Sequence, residues 1–257
     1  MIIDSHAHLS DERLIGRVGE ISSSLLQNGL ESVFEVGFDL SSSKSAIELA
    51  SKYDNIYAII GTHPHDAKYY DSEAEEFYLQ NASNKKVLAI GEIGLDYFYD
   101  KSERDVQREV FARQIALADK VGLPIVLHIR DAYGDAIDIL NANKDKLNHG
   151  VLLHCYSGSV EKIKQFNKYD CYYALGGAIT FKNAKKEDVI MAMPENRLLV
   201  ETDCPYMTPV PFRGQSNEPK LVNLVVDKIA AVKGVEREKI ESMTYENTKK
   251  LFFKYDK

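Results

Sequence analysis

Six of the seven histidines in this chain, His6, His8, His63, His65, His128 and His154, close short apolar runs, and Glu92 and Asp203 close two more. Imidazole nitrogens and carboxylate oxygens are the donor set of a transition-metal site. If residues 2–8 are extended, the side-chain period of two puts Ile2, Asp4, His6 and His8 on one face. The same period pairs Ile90 with Glu92, Val126 with His128, Leu152 with His154, and Leu199 with Asp203. A lone histidine after an apolar run is ordinarily a hydrogen-bonded structural residue, and an acid there ordinarily caps the next helix. Gathered in one place without a metal, these groups would face desolvation and mutual repulsion when protonated.

His6, His8, Glu92, His128, His154 and Asp203 are too many for one tetrahedral ion with an open position. They fit two divalent cations ~3.5–4 Å apart that share a bridging carboxylate. Glu92 is the natural bridge, being a carboxylate in the middle of the chain order. His6, His8 and Asp203 then serve one ion, and His128 and His154 the other. Paired cations lower the pKa of a shared water from 15.7 in bulk toward ~7 in the best zinc cases. Asp203 is placed to orient that water or take its proton. The chemistry is hydrolysis of an ester or amide, with a phosphoester the first expectation. Imidazole-rich sites favour zinc, iron, nickel or copper, and magnesium favours oxygen ligands. Zinc is therefore expected, with Mg, Mn, Ni or Fe as the alternatives.

Such a cluster needs a scaffold that brings distant strand ends together. Apolar runs begin near Ile2, Ser32, Ile56, Lys86, Pro124, Val151, Tyr172 and Arg197, with helical periodicity between most neighbours. Eight βα units in 257 residues predict an α/β fold, a single (β/α)8 TIM barrel over 1–257 with a C-terminal helix near Arg237 to Phe253. Its chemistry would sit at the C-terminal rim. Helices are expected over 12–27, 42–52, 72–82, 102–121, 132–143, 160–167, 186–193 and 219–232. Ser102 is read as the cap of the fourth, and Gly122 as its left-handed stop. The proline-rich stretch 203–219 reads as an ordered loop and not as a domain boundary.

Net charge is -7, which argues against a generally cationic nucleic-acid binder but leaves a local anion site possible. Three cysteines without disulfide spacing point to a reducing, cytoplasmic setting. No signal peptide or membrane span is evident, and no obligate protein partner is inferred.

Other residues have competing readings. His63 and His65 could donate to a substrate phosphate or be structural. Arg213 could clamp a phosphate bidentately or be a solvated loop charge. Asp96 could orient a ligand from behind. Cys155 and Cys204 each follow a proposed ligand and read as packing residues. Tyr69, Tyr70, Tyr97 and Phe98 could stack bases at the mouth or cover core.

The strings HAHL at 6–9, GTHPHDA at 61–67, GEIGLDY at 91–97, LHIRDA at 127–132, HCYSG at 154–158 and ETDCPYMTPVPFRG at 201–214 resemble, in order, the TatD family of metal-dependent deoxyribonucleases. The resemblance implies a cytosolic barrel of the amidohydrolase superfamily with two divalent cations. It assigns His6, His8, Glu92 and Asp203 to one metal, Glu92, His128 and His154 to the other, and a role beside the nucleophilic water to Asp203. It implies a DNA substrate, single-stranded or at ends, often cut 3′→5′, with aminoacyl-tRNA and other esters as alternatives. A small-ester, lactone or amide hydrolase and a non-catalytic metal binder are the competing functions.

Overall fold

The computed structural model describes residues 1–253. Eight parallel strands follow one another around a single sheet: β1 (Ile2–Ala7), β2 (Leu30–Val36), β3 (Ile56–Ile60), β4 (Val87–Asp96), β5 (Ile125–Arg130), β6 (Val151–Leu153), β7 (Cys171–Leu175) and β8 (Leu198–Val200). Between and after them run α1 (Val18–Ser24), α2 (Leu40–Lys52), α3 (Ser72–Asn81), α4 (Arg104–Val121), α5 (Tyr133–Ala142), α6 (Val160–Phe166), α7 (Glu187–Ala192), α8 (Val222–Lys233) and α9 (Arg237–Phe252). The eight-unit α/β barrel read from the sequence is the fold, and strands begin within two residues of the expected runs. Among the described residues no helix is long and apolar enough to cross a membrane.

The sheet closes just beyond β8. Asp203 N–H donates to the His6 carbonyl (2.9 Å), and His8 N–H to the Cys204 carbonyl (2.7 Å). Below this the buried Asp4 carboxylate accepts from the Thr202 N–H (2.9 Å) and hydroxyl (2.6 Å). Burial pushes the Asp4 carboxyl up to about 8, against the pull of those donors. Asp4→Ala should therefore cost about 1–3 kcal/mol, because it leaves a buried N–H unpaired at the seam. Urea melts check this; an unchanged midpoint would mean the seam closes without it.

Each strand sends one or two apolar side chains into the barrel, among them Ile3, Phe34, Val36, Ile59, Leu88, Val126, Leu152, Tyr172 and Leu199. A larger apolar layer lies between strands and helices. Phe252 of α9 plugs the lower end, its ring 5.0 Å from that of Phe34. Two face assignments differ from a strict period of two. Ile2 packs outward and Ile3 inward, and the β1 register slips between Asp4 and Ala7, which turns His6 and His8 inward. Ile90 likewise packs outward while Glu92 points in, because β4 slips between Ile90 and Ile93. Such irregularities reset alternation and cluster near active sites.

Some helices also depart from expectation. In place of one helix over 12–27 there is the short α1 flanked by 3₁₀ turns. Gly16 and Gly19 weaken that stretch, and Ser23 and Ser24 bond back to the carbonyls of Glu20 and Ile21. Ser102 does not cap α4; Glu103 precedes it, and the Ser102 hydroxyl donates to the His65 carbonyl. Gly122 does end α4 in the left-handed region, at φ 74°.

Candidate metal centre

The strand ends bring together all six residues expected as ligands, His6, His128 and His154 around Glu92 and His8 with Asp203 beside His6. Glu92 Oε1 lies 2.8 Å from His154 Nε2 and 2.8 Å from His128 Nδ1. Its other oxygen lies 3.4 Å from His6 Nε2. Asp203, in the left-handed region at φ 55°, faces His8 Nε2 at 3.5 Å and His6 Nε2 at 3.9 Å. Three groups could each hold an ion: His6, His8 and Asp203; His6, Glu92 and His154; His63, Glu92 and His128. Glu92 thus looks two ways, as a bridging carboxylate does.

Hydrogen bonds settle which nitrogen of the His8 and His128 rings is turned to the centre. His8 Nδ1 donates to the Val36 carbonyl at 2.9 Å, so Nε2 is the nitrogen turned toward Asp203, and a cation there would take the place of its proton. His128 Nε2 donates to Asp96 Oδ2 at 3.0 Å, which leaves Nδ1 for Glu92's side. His154 Nδ1 is 3.3 Å from Glu201 Oε1, and its Nε2 faces the centre. Carboxylates and carbonyls behind ligating imidazoles are the usual way such rings are aimed. Gly94 makes room for this: a Cβ there would sit 2.1 Å from the His128 carbonyl.

His6 is the exception. It is fully buried, its ring stacks on that of His154 at 3.9 Å, and neither nitrogen has a hydrogen-bond partner among the described residues. A buried imidazole without a partner is costly unless something fills the place. A cation facing Nε2 would satisfy it and would also neutralise Glu92 and Asp203. The donor set and this orphan fit a divalent metal.

Without a cation, the same proximity favours charge on both partners, with protons on His8 and His154 opposite anionic Glu92 and Asp203. Burial would raise Glu92, but the imidazoles of His154, His63 and His6 outweigh it and hold its carboxyl well below the usual range. Burial opposes charge on His8, and Asp203 overcomes it, raising His8 to about 9. Burial likewise opposes charge on His154, and Glu92 and Glu201 push it well above an ordinary histidine. The carboxylates are thus strongly biased toward their anionic, ligating form.

The remaining expected residues fall into two groups. His63 joins the centre, with Nε2 3.6 Å from Glu92 Oε1. Its Nδ1 accepts from the His65 N–H at 3.1 Å, so Nε2 is an N–H donor aimed inward. His65 donates to Asp96 at 3.0 Å. Arg213 stands apart, over the Phe181 ring at 3.9 Å and donating to the Thr208 carbonyl. Cys155 and Cys204 join none of the clusters. Tyr70 is buried and the Tyr97 hydroxyl donates to Asp135, whereas Tyr69 and Phe98 are exposed. Sequence reasoning missed Glu201, although its i, i+2 spacing from both Leu199 and Asp203 marks it as inward. It also missed Glu35, whose carboxylate accepts from the N–H groups of Leu9 and Ser10 and pins the turn after His8.

A barrel that converges imidazoles and carboxylates at the C-terminal ends of its strands has the layout of a metal-dependent hydrolase. A family model described as TatD related DNase matches residues 3–253. The chain is 44% identical over 253 residues to YabD of Bacillus subtilis (strain 168), covering 98% of this chain and 99% of that one. It is 32% identical over 255 residues to YcfH of Escherichia coli (strain K12), covering 98% and 95%. Both are described as uncharacterized metal-dependent hydrolases. The crystal structure of YJJV, a TatD homolog from Escherichia coli K12, superposes with TM-score 0.91 at 28% identity over 98% of both chains. This chain belongs to the TatD family of metal-dependent hydrolases.

Proposed function

We propose that the protein is a divalent-metal-dependent phosphodiesterase acting on DNA, at single strands or ends and in the 3′→5′ sense. The observation that carries the metal is the buried, unpartnered His6 between Glu92 and Asp203. The DNA substrate rests on the TatD related DNase family match.

In this reading His6, His8, Glu92 and Asp203 would hold one cation, and Glu92, His128 and His154 a second. Bound there, divalent cations supply a nucleophile at neutral pH and offset charge building on the phosphoryl oxygens. The chain's own residues do the rest. Asp96 and the Val36 carbonyl aim the His128 and His8 rings, and the Glu201 carboxylate stands 3.3 Å behind His154 Nδ1. The Asp203 carboxyl, held below its usual range chiefly by His8 against the effect of burial, accepts the proton of the attacking water. His63 Nε2–H donates to a phosphate oxygen, and Arg213 meets the chain farther out.

The test is a chelator-sensitive screen of single-stranded DNA, double-stranded DNA, RNA and small esters, with end-labelled strands to read direction. Protein purified without chelator should carry more than one transition-metal ion per chain, zinc first. EDTA should lower DNA cleavage more than 100-fold, the scale of a ~3 kcal/mol loss, with zinc or manganese restoring it. Turnover of small carboxylic esters alone, with DNA untouched, would overturn the nuclease reading. Metal below one ion per chain would overturn the site.

A further inference from the structure

Seven of the nine arginines pair with carboxylates, and among the described residues Arg130 and Arg213 do not. Both stand on the C-terminal side of the barrel, and both rest on aromatic faces. Arg130 ends β5, two residues beyond His128, and is half-buried. Its guanidinium lies 4.0 Å from the centroid of Phe98 and 4.8 Å from that of Tyr99. Those rings meet edge to face at 4.9 Å, and Tyr99 in turn meets the His65 ring at 5.3 Å.

The acid beside Arg130 in the sheet is Asp96, its register partner on β4. Asp96 is fully engaged elsewhere. One oxygen accepts from the N–H groups of Phe98 (3.0 Å) and Tyr99 (2.8 Å). The other accepts from His65 and His128, each at 3.0 Å. A single buried carboxylate therefore aims a metal-facing imidazole and shapes the turn that carries the aromatic platform. It has no lone pair left for Arg130. The outcome is a half-desolvated cation, backed by π faces and next to the centre, with its N–H edge unclaimed by any acid. Phe98 and Tyr99 remain more than half exposed, at 56% and 52%.

We propose that Arg130 with Phe98 and Tyr99 forms a second anion subsite, which takes a backbone phosphate adjacent to the one held at the metal centre and lets the neighbouring base stack on the exposed ring. The inference rests on the nuclease reading and makes it more specific: the preferred substrate carries at least two consecutive phosphates. A guanidinium stacked on rings keeps its planar donor edge for bidentate contact with phosphate. Bases stack on such platforms without regard to sequence.

The test uses the metal-loaded enzyme with two probes, a single-stranded oligodeoxythymidylate of roughly ten nucleotides and bis(4-nitrophenyl) phosphate, which has no neighbouring phosphate. For Arg130→Gln, kcat/KM on the oligonucleotide should fall about tenfold more than on the small diester, mainly through KM. The salt slope of oligonucleotide binding should drop by about 0.7, one single-strand phosphate contact. Arg130→Lys should restore the salt slope but only part of the affinity, and Phe98→Ala should raise KM without changing the slope. Metal content and thermal melting are followed for each variant.

Equal losses on both probes, or none on either, would overturn the subsite while leaving a nuclease that cuts the oligonucleotide intact. If the wild type binds the oligonucleotide without cutting it, the nuclease reading fails. The subsite is then judged on Kd alone, where Arg130→Gln should weaken binding about tenfold. A wild type that neither binds nor cuts it overturns both.

Discussion

Glu92→Gln should strip both metal positions at once and lower turnover by on the order of 10³-fold or more. The two oxygens of Glu92 face different candidate ligands, His6 at one and His128 with His154 at the other. Glutamine keeps the size and removes the charge. Its amide must also present an NH₂ to one side. Toward His128 and His154 that NH₂ donates to the inward nitrogens and occupies the lone pairs a cation would need. Toward His6 it competes with the cation for Nε2. Either orientation spoils one position and weakens the other, which loses the shared anion. Losing about 4 kcal/mol of charge stabilisation is ~10³ in rate. Elemental analysis beside a kcat measurement decides the matter. Glu92→Gln protein with near wild-type metal content and turnover within tenfold would show that the two sides are held independently.

That two-sidedness was only half legible in the sequence. Inside a regular strand the period of two worked: Val126 with His128, and Leu152 with His154, do share the inward face. It failed where strands slip. Nothing in MIIDSHAHL announces that the register shifts between Asp4 and Ala7, so Ile2 was assigned inward when Ile3 is the residue that fills the barrel. The β4 slip hid the outward turn of Ile90 in the same way. His6, His8 and Glu92 do point inward, and their chemistry and strand-end positions mark them as inward independently of the count. Long-range partners were out of reach. Asp4 finds Thr202 across the seam, and Glu35 finds Leu9 and Ser10, and no local pattern encodes those meetings. Glu201 was readable and overlooked. Arg130 could not have been singled out, since its significance lies in Asp96 being already occupied by four other donors. The helices followed the same division: α4 with its Gly122 stop was visible, whereas the serine and glycine run around α1 breaks up a helix that apolar spacing alone would extend.

Asp203→Asn should separate metal binding from turnover in a way that Glu92→Gln cannot. Asp203 is the more open of the two central carboxylates, with its side chain 15% exposed against 5% for Glu92. The oxygen nearest His6 and His8 can be kept by an asparagine carbonyl, and the remaining ligands are untouched. What the amide cannot do is accept a proton. Occupancy should therefore stay above half of the wild-type metal content, while kcat falls by about 10²–10⁴-fold, the usual worth of a positioned general base. KM should change little, because no substrate contact is removed. The comparison has a built-in check on interpretation. Loss of metal in step with activity would make Asp203 a ligand and nothing more, and the proton would have to leave by another group. Retained metal with retained turnover would remove it from the reaction altogether. Only a metal-replete, slow enzyme places the proton on Asp203, and that phenotype should persist at every metal concentration, whereas a ligand defect is overcome by adding more cation.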